Sequence, residues 1–355
     1  KVASVAFDKI FQSEVKRYNG FIDCRITNSY ESKTSFFNAN LKAEKLLDNE
    51  NNHVLRFKVP KPTDDNAYLF VAYYQKDNGD IQVQDIPLKV LGKDLTPMLI
   101  PFEMNGLVPI FENYILKRDS FIVKTAKSES KISFKYYKYN FPPASPPMVS
   151  QTSMDDNVRL LADSLINPEG DIISFGKKGN YVSADNTREK SGLSLLVIEN
   201  QFPKVSKTKE LIDPTIYIAS DDERRGLKSG QKPKVKLDDF WLNLGQDKEF
   251  SRKMIRNYYK KIEEANYFFT NHKEGWKTDM GMIYIIFGKP DYVYKQDLKE
   301  TWKYKRRPEI PAVNFVFHKK TNPFGDHYYE IQLSEEYATI WYNTVELWRK
   351  GILEK

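Results

Sequence analysis

Asp279 is the side chain whose type and setting could most readily do chemistry. It closes the run Gly275-Trp276-Lys277-Thr278-Asp279, with His272 upstream and Asp291 downstream. A carboxylate with a hydroxyl or an imidazole at hand could act as a general base or hold a ligand. That role needs a partner within hydrogen-bond reach and surroundings that tune its pKa. A structural account of the same residues needs no ligand, and it is the one we favour. Thr278 and Asp279 are side chains that accept backbone N–H bonds and fix tight turns. Gly275 lets the chain turn where a Cβ would clash. Trp276 then anchors the loop on a neighbouring sheet, with Trp302 as its expected partner.

Other catalytic patterns are missing. The sequence holds no Gly-rich phosphate loop, no Gly-x-Ser-x-Gly elbow and no His-Glu-x-x-His helix. With only His53, His272, His318, His327 and the single Cys24 available, neither a structural zinc site nor an internal disulfide is expected. His318 and His327 flank a hairpin signal at residues 322–326 and read as surface side chains. No cofactor is expected, and no residue is assigned as catalytic. Two basic clusters stand out: Lys303, Lys305, Arg306 and Arg307 beside Trp302 and Tyr304, and Arg252, Lys253, Arg256, Lys260 and Lys261 farther upstream. Glu249, Glu263 and Glu264 interrupt the second, and no nucleic-acid motif accompanies either. They read as solvated faces or protein docking surfaces. The net charge of +7 over 355 residues is modest and interleaved, so nucleic acid is not an expected partner.

The elements that must position the run lie after residue 203, where all five tryptophans are found. Ser220 and Glu223 have the spacing of a capping box. Leu237, Phe240, Trp241 and Leu244 form the stripe of a short amphipathic helix. A long helix is expected over residues 248–269, with Phe250, Met254, Tyr258, Ile262, Ala265 and Phe269 on one face. Strands are expected at 282–287, 301–304, 313–317 and 328–333, as an antiparallel meander. Ser334 can cap a last helix carrying Tyr337, Trp341, Thr344, Val345 and Trp348 on one face, and Gly351 can end it.

The upstream part is β-rich. Leu55, Phe57 and Val59 alternate with charged residues, and an Asn78-Gly79 turn separates an apolar run at 68–74 from Ile81 and Val83. With strands near Val5, 21–26 and 36–41, these make a first sandwich, where Cys24 is a small strand side chain. A second sandwich-like unit has strands at 121–123, 132–141, 179–184 and 193–198, with a β-bulge expected between Tyr136 and Tyr137. The proline-rich stretch 141–147 cannot be a central strand and is expected to form a long edge loop. The expected fold is therefore multidomain: two all-β sandwich-like domains, residues 1–93 and 94–206, then an α+β domain with a small antiparallel sheet, residues 207–355. No stretch approaches the roughly 20 apolar residues of a membrane span. The chain begins at Lys1 without a leader, so any export signal or lipidated cysteine is expected upstream of it.

The run at 275–279, extended through Gly288, Pro290 and Asp291, resembles the signature of the GWxTD domain family, secreted or envelope lipoproteins of Bacteroidota type. Tyr217-Ile218-Ala219-Ser220 with Glu223 is similar to that family's entry into its helical part, and Glu300 to Tyr304 to its Trp-containing strand. The resemblance spans residues 211–353, and Met280 departs from it where many relatives carry a basic residue. Gly288-x-Pro290 with Trp302-x-Tyr304 is also similar to small outer-membrane-assembly lipoproteins. The resemblance implies no particular reaction. It implies a non-enzymatic accessory subunit of an outer-membrane-associated assembly or secretion complex, docking onto other envelope proteins through Gly275, Trp276, Thr278, Asp279, Gly288, Pro290, Asp291, Trp302 and Tyr304. The alternatives are an envelope-polymer or peptide hydrolase using Asp279, and a carbohydrate- or peptide-binding module.

Overall fold

A computed structural model of the chain describes residues 2–7, 21–35, 37–42, 44–48, 53–58, 67–75 and 81–89. It also describes 99–352, apart from 107, 111, 125–131, 139, 150–160, 185–192, 246, 321, 323 and 326–327. The architecture is β-rich, with several antiparallel sheets and a group of helices. No helix among the described residues is long and apolar enough to cross a membrane.

Alternating sequence near the N-terminus forms β1 (Val2–Phe7), β2 (Phe21–Thr27), β3 (Phe37–Lys42), β4 (Glu44–Asp48), β5 (His53–Lys58), β6 (Ala67–Gln75) and β7 (Ile81–Lys89). These pair as β1-β5-β4 and β3-β2-β6-β7. Cys24 is buried in β2. The Asn78-Gly79 turn lies outside the described residues, but β6 and β7 pair antiparallel from Ala67 opposite Lys89 to Gln75 opposite Ile81.

The next strands are β8 (Ile100–Glu103), β9 (Tyr114–Leu116), β10 (Ser120–Lys124), β11 (Phe134–Tyr137), β12 (Ser164–Ile166), β13 (Ile172–Ser174), β14 (Gly179–Ser183) and β15 (Ser194–Ile198). They form the sheets β13-β10-β8 and β12-β11-β14-β15-β9, around a core that includes Phe121, Phe134, Phe175, Tyr181 and Val197. The expected bulge at Tyr136 and Tyr137 is absent, since β11 keeps its register through both residues. Both faces of that strand are covered instead: Tyr136 packs in the core and Tyr137 meets Phe324 edge-on at 5.1 Å.

Beyond residue 206 come α1 (Thr208–Ile212), α2 (Asp221–Lys228), α3 (Pro233–Leu244), α4 (Lys248–Phe269), α5 (Asp279–Phe287) and α6 (Tyr337–Arg349). Between α5 and α6 lies the meander β16 (Tyr292–Lys295), β17 (Lys299–Tyr304), β18 (Val313–Lys319) and β19 (Tyr329–Ile331). The capping box forms as expected at α2: Glu223 N donates to Ser220 Oγ at 3.3 Å, and Ser220 N to the Glu223 carboxylate at 2.7 Å. Along α4, Met254, Tyr258, Ile262 and Ala265 are buried. Ser334 is not the cap of α6. It sits in the turn before it, where Tyr337 N donates to its carbonyl, and Gly351 at φ 65° follows the helix end.

The expected strand at 282–287 is instead helix α5. Met282, Ile283 and Ile285 are 0% exposed, and the helix packs against α4, β19 and α6. A helix enclosed on every side is apolar all round and shows neither a period of two nor one of 3.6. Its isoleucines suit a strand equally well. The meander has the expected four strands, but its first is β16, one element later.

The proline-rich stretch is an irregular strap laid across the helical domain. Ala144 N donates to Lys277 O at 2.9 Å and Ser334 N to Pro147 O at 3.1 Å, so the strap is tied by backbone bonds to the signature run and to the turn before α6 without joining a sheet.

Candidate functional site at the signature turn

The turn between α4 and α5 is built on backbone contact. A Cβ on Gly275 would lie 1.9 Å from Ala265 O and 2.8 Å from Asn266 Cα, so only glycine allows the returning chain to touch α4. Asn266 holds the turn from both sides: its Oδ1 accepts from Trp276 N at 3.2 Å, and its Nδ2 donates to Pro203 O at 2.9 Å. Thr270 Oγ1 accepts from Gly275 N at 2.9 Å. Thr278 then caps α5, its Oγ1 accepting from Gly281 N at 3.0 Å and donating to Gly275 O at 2.8 Å. Asp279, 4% exposed, accepts at Oδ2 from Ile331 N of β19 at 2.8 Å. The run thus ties α4, α5 and β19 together.

Trp276 is a buried anchor, though not against Trp302. Its ring lies 6.3 Å from that of Tyr217, whose hydroxyl donates to Trp276 O at 2.9 Å. Trp302 packs on Phe317 at 4.9 Å and Phe269 at 5.4 Å, because β17 faces the end of α4 rather than the turn. Gly288 ends α5 at φ 75°, and its carbonyl accepts from Tyr304 OH at 2.8 Å. Pro290 is half-buried, and Asp291 is exposed, its carboxylate accepting from Lys305 N at 2.7 Å.

The candidate partners of Asp279 therefore occupy different surroundings. Asp291 is at a solvent-exposed strand end. His272 is 6% exposed, edge-on to Phe141 at 4.5 Å and Tyr328 at 5.0 Å and stacked on Phe324. Burial pushes its pKa down to about 3, helped by the Lys273 charge, so the imidazole is neutral. His318 Nε2 lies 3.1 Å from Gln332 Oε1 on the exposed sheet, while His327 lies outside the described residues. Among the described residues no group of three or more His, Cys, Asp or Glu side chains is placed to hold a metal ion.

An ion network centred on the buried Glu274 and Lys277, with Lys178 at its exposed edge, was not foreseen at this turn. Glu274 is paired with Lys277 at 2.6 Å and with Lys178 at 2.6 Å, and Lys277 also donates to Asn140 Oδ1 at 2.8 Å. Burial alone would raise the Glu274 pKa, but the two lysines together hold it down to about 2. Lys178 and Asn140 come from the second β-unit, 96 residues before Glu274 and 137 before Lys277 respectively, so no local signal marked them. Beside this network Lys273 is 8% exposed, and burial lowers its pKa while the Asp279 charge opposes that shift.

The depressed histidine makes a pH prediction. Because the folded pKa of His272 lies below its ordinary 6.5, protons bind the unfolded chain preferentially. The stability it confers is intact above pH 6.5 and is lost as pH falls towards 3. From about pH 7 to about pH 5 the loss should be about 2 kcal/mol, and His272→Phe should remove it. Urea unfolding of both proteins at the two pH values measures this.

A β-rich chain ending in a helical unit around a meander, with its signature run spent on internal contacts, defines a class by architecture more than by chemistry. Residues 179–350 match the family model of the GWxTD domain, and this part of the chain is a GWxTD domain. The match begins earlier than the resemblance did, at β14, so it takes in β14 and β15 as well as the helices and meander. No curated protein and no solved structure matches the chain.

Proposed function

We propose that the protein is a non-enzymatic accessory subunit of an outer-membrane-associated protein assembly or secretion complex, acting by docking to other envelope proteins. In this reading residues 1–93 and 94–206 are two sandwich-like spacers, residues 207–355 are the docking domain, and a lipid upstream of Lys1 provides the anchor. Strand β16 is the observation that carries it. It is the edge of the meander, all four of its residues are exposed, and Tyr292, Val293 and Tyr294 are 44%, 43% and 54% exposed. Natural proteins usually shield such an edge, and tyrosine is favoured at interfaces, so an extended segment of a partner adding to the sheet fits it. The competing hydrolase reading depends on Asp279, whose carboxylate is buried and bonded to Ile331 N.

Replacing Tyr292 and Tyr294 together by serine should cut recovery of partner proteins from native membranes at least tenfold. Because both side chains are exposed, stability should change by no more than about 0.5 kcal/mol each. An unchanged set of co-purifying proteins, or a wild-type chain that is monomeric and membrane-free in its own cells, would overturn the proposal.

A further inference from the structure

Between the proline-rich strap, strands β14 and β15 and the signature turn lies a cavity of about 370 Å³. That is within the range of roughly 300–1,000 Å³ found for small-molecule sites. Phe141, Leu196, Phe202 and Trp276 give it apolar walls, and each of these side chains is buried in the protein.

Its charges are not balanced. Lys273 lines the cavity and is 8% exposed, and among the described residues its ammonium makes one hydrogen bond, donating to Pro142 O at 3.5 Å. Among the described residues no carboxylate stands within ion-pair distance of it. An ammonium carries three donors, and leaving it buried with one long carbonyl contact is costly unless something else pairs with it. The Asp279, Glu330 and Glu274 charges favour the ionised ammonium from beyond ion-pair distance, and the Glu274 carboxylate is already shared between Lys277 and Lys178. At the rim, Lys138, Lys204 and Lys209 are exposed, with no ion pair among the described residues. Two of the rim acids are committed, Glu199 to Lys117 and Lys207, and Glu210 to the N–H groups of Ser206 and Lys207. Asp213, half-buried, is the remaining acid on the lining. A cationic mouth over an apolar hollow focuses potential for an anion.

We infer that this cavity binds a small amphiphilic carboxylate, its anionic end on the Lys273 ammonium and its apolar body against Phe141, Leu196, Phe202 and Trp276. A monoanion suits a single ammonium, since no arginine, the residue suited to bidentate phosphate recognition, lines the hollow. The apolar walls favour a carboxylate carried on a chain or ring over a small hydrophilic ion. The site does not rest on the docking role of β16, which lies on another part of the domain. Two sources share this chemistry: a free acyl acid, and the C-terminal carboxylate of a polypeptide ending in an apolar residue.

Titration calorimetry on the full chain tests the inference with three probes: octanoate, acetyl-phenylalanine as a chain-end mimic, and neutral octanol. At least one carboxylate should bind saturably, octanoate marking a free acid and acetyl-phenylalanine alone marking a chain end. Lys273→Met should weaken that binding tenfold or more while leaving octanol unaffected. The exposed rim change Lys209→Glu should weaken it a few-fold at low salt, and this second variant remains informative should Lys273→Met fail to fold. Carboxylate binding at alkaline pH should also take up protons, because the anion restores the charge that burial disfavours on Lys273. The inference is overturned if neither carboxylate saturates at millimolar concentration, if Lys273→Met binds both as wild type does, or if Lys209→Glu leaves low-salt affinity unchanged.

Discussion

Gly275→Ala should leave little or no folded protein. The added methyl would lie 1.9 Å from Ala265 O and 2.7 Å from Ala265 C, both backbone atoms of α4, so no flexible side chain can move aside. Overpacking a core typically costs about 1–3 kcal/mol, and a backbone-to-backbone collision in an enclosed turn should exceed that, at roughly 4 kcal/mol or more. A loss of this size takes away much of the roughly 5–15 kcal/mol that holds a domain folded. Gly281→Ala should behave alike, because its methyl would meet Gly275 O at 1.9 Å. Gly288→Ala makes the contrast. Its surroundings are open, so only the positive φ of 75° opposes a side chain, at about 1–2 kcal/mol. Urea denaturation of the three variants measures this ranking, and a Gly275→Ala protein within 1 kcal/mol of wild type would mean that α4 and the turn do not touch as described.

Asp279→Ala should cost roughly 2–4 kcal/mol. The substitution leaves Ile331 N–H of β19 buried without its acceptor and removes a carboxylate whose charge helps to keep Lys273 ionised. Asp279→Asn keeps an acceptor and loses only the charge, so it should cost about half as much. Adding Lys273→Met to Asp279→Ala should recover part of the loss, a coupling of about 1 kcal/mol, because the ammonium no longer lacks its counter-charge. A catalytic carboxylate would behave differently, since its removal commonly spares or even raises stability while abolishing activity.

Where side-chain period and end signals agree, the fold was legible. Helix α4 has its apolar face every three to four residues, and in the structure the Asp247 carboxylate caps its start by accepting from Phe250 N at 2.8 Å. Strands β17 and β18 alternate and pair as a meander. Helix α5 was misread because enclosure removes the polar stripe that gives a helix its period. Strand β4 went unseen because its register shifts between Lys45 and Leu47, which breaks the alternation.

The site was half legible for a related reason. Turn fixing by Thr278 and close approach by Gly275 are local properties, and both follow from residue type. The identity of the partners is not local. Trp276 meets Tyr217 rather than Trp302, and the ion network around Glu274 draws Lys178 and Asn140 from a sheet far upstream in the chain. The strap at 141–147 shows the same limit: proline ruled out a central strand, but only tertiary contact placed Ala144 on Lys277.

Amide hydrogen exchange at Ile331, compared between wild type and Asp279→Ala under native conditions, tests most directly whether the signature run is a structural tie. The account predicts a protected amide in wild type, and in the variant a faster-exchanging one, by more than the overall loss of stability explains, with β19 loosened from α5. Equal protection in both proteins, with stability unchanged, would contradict it.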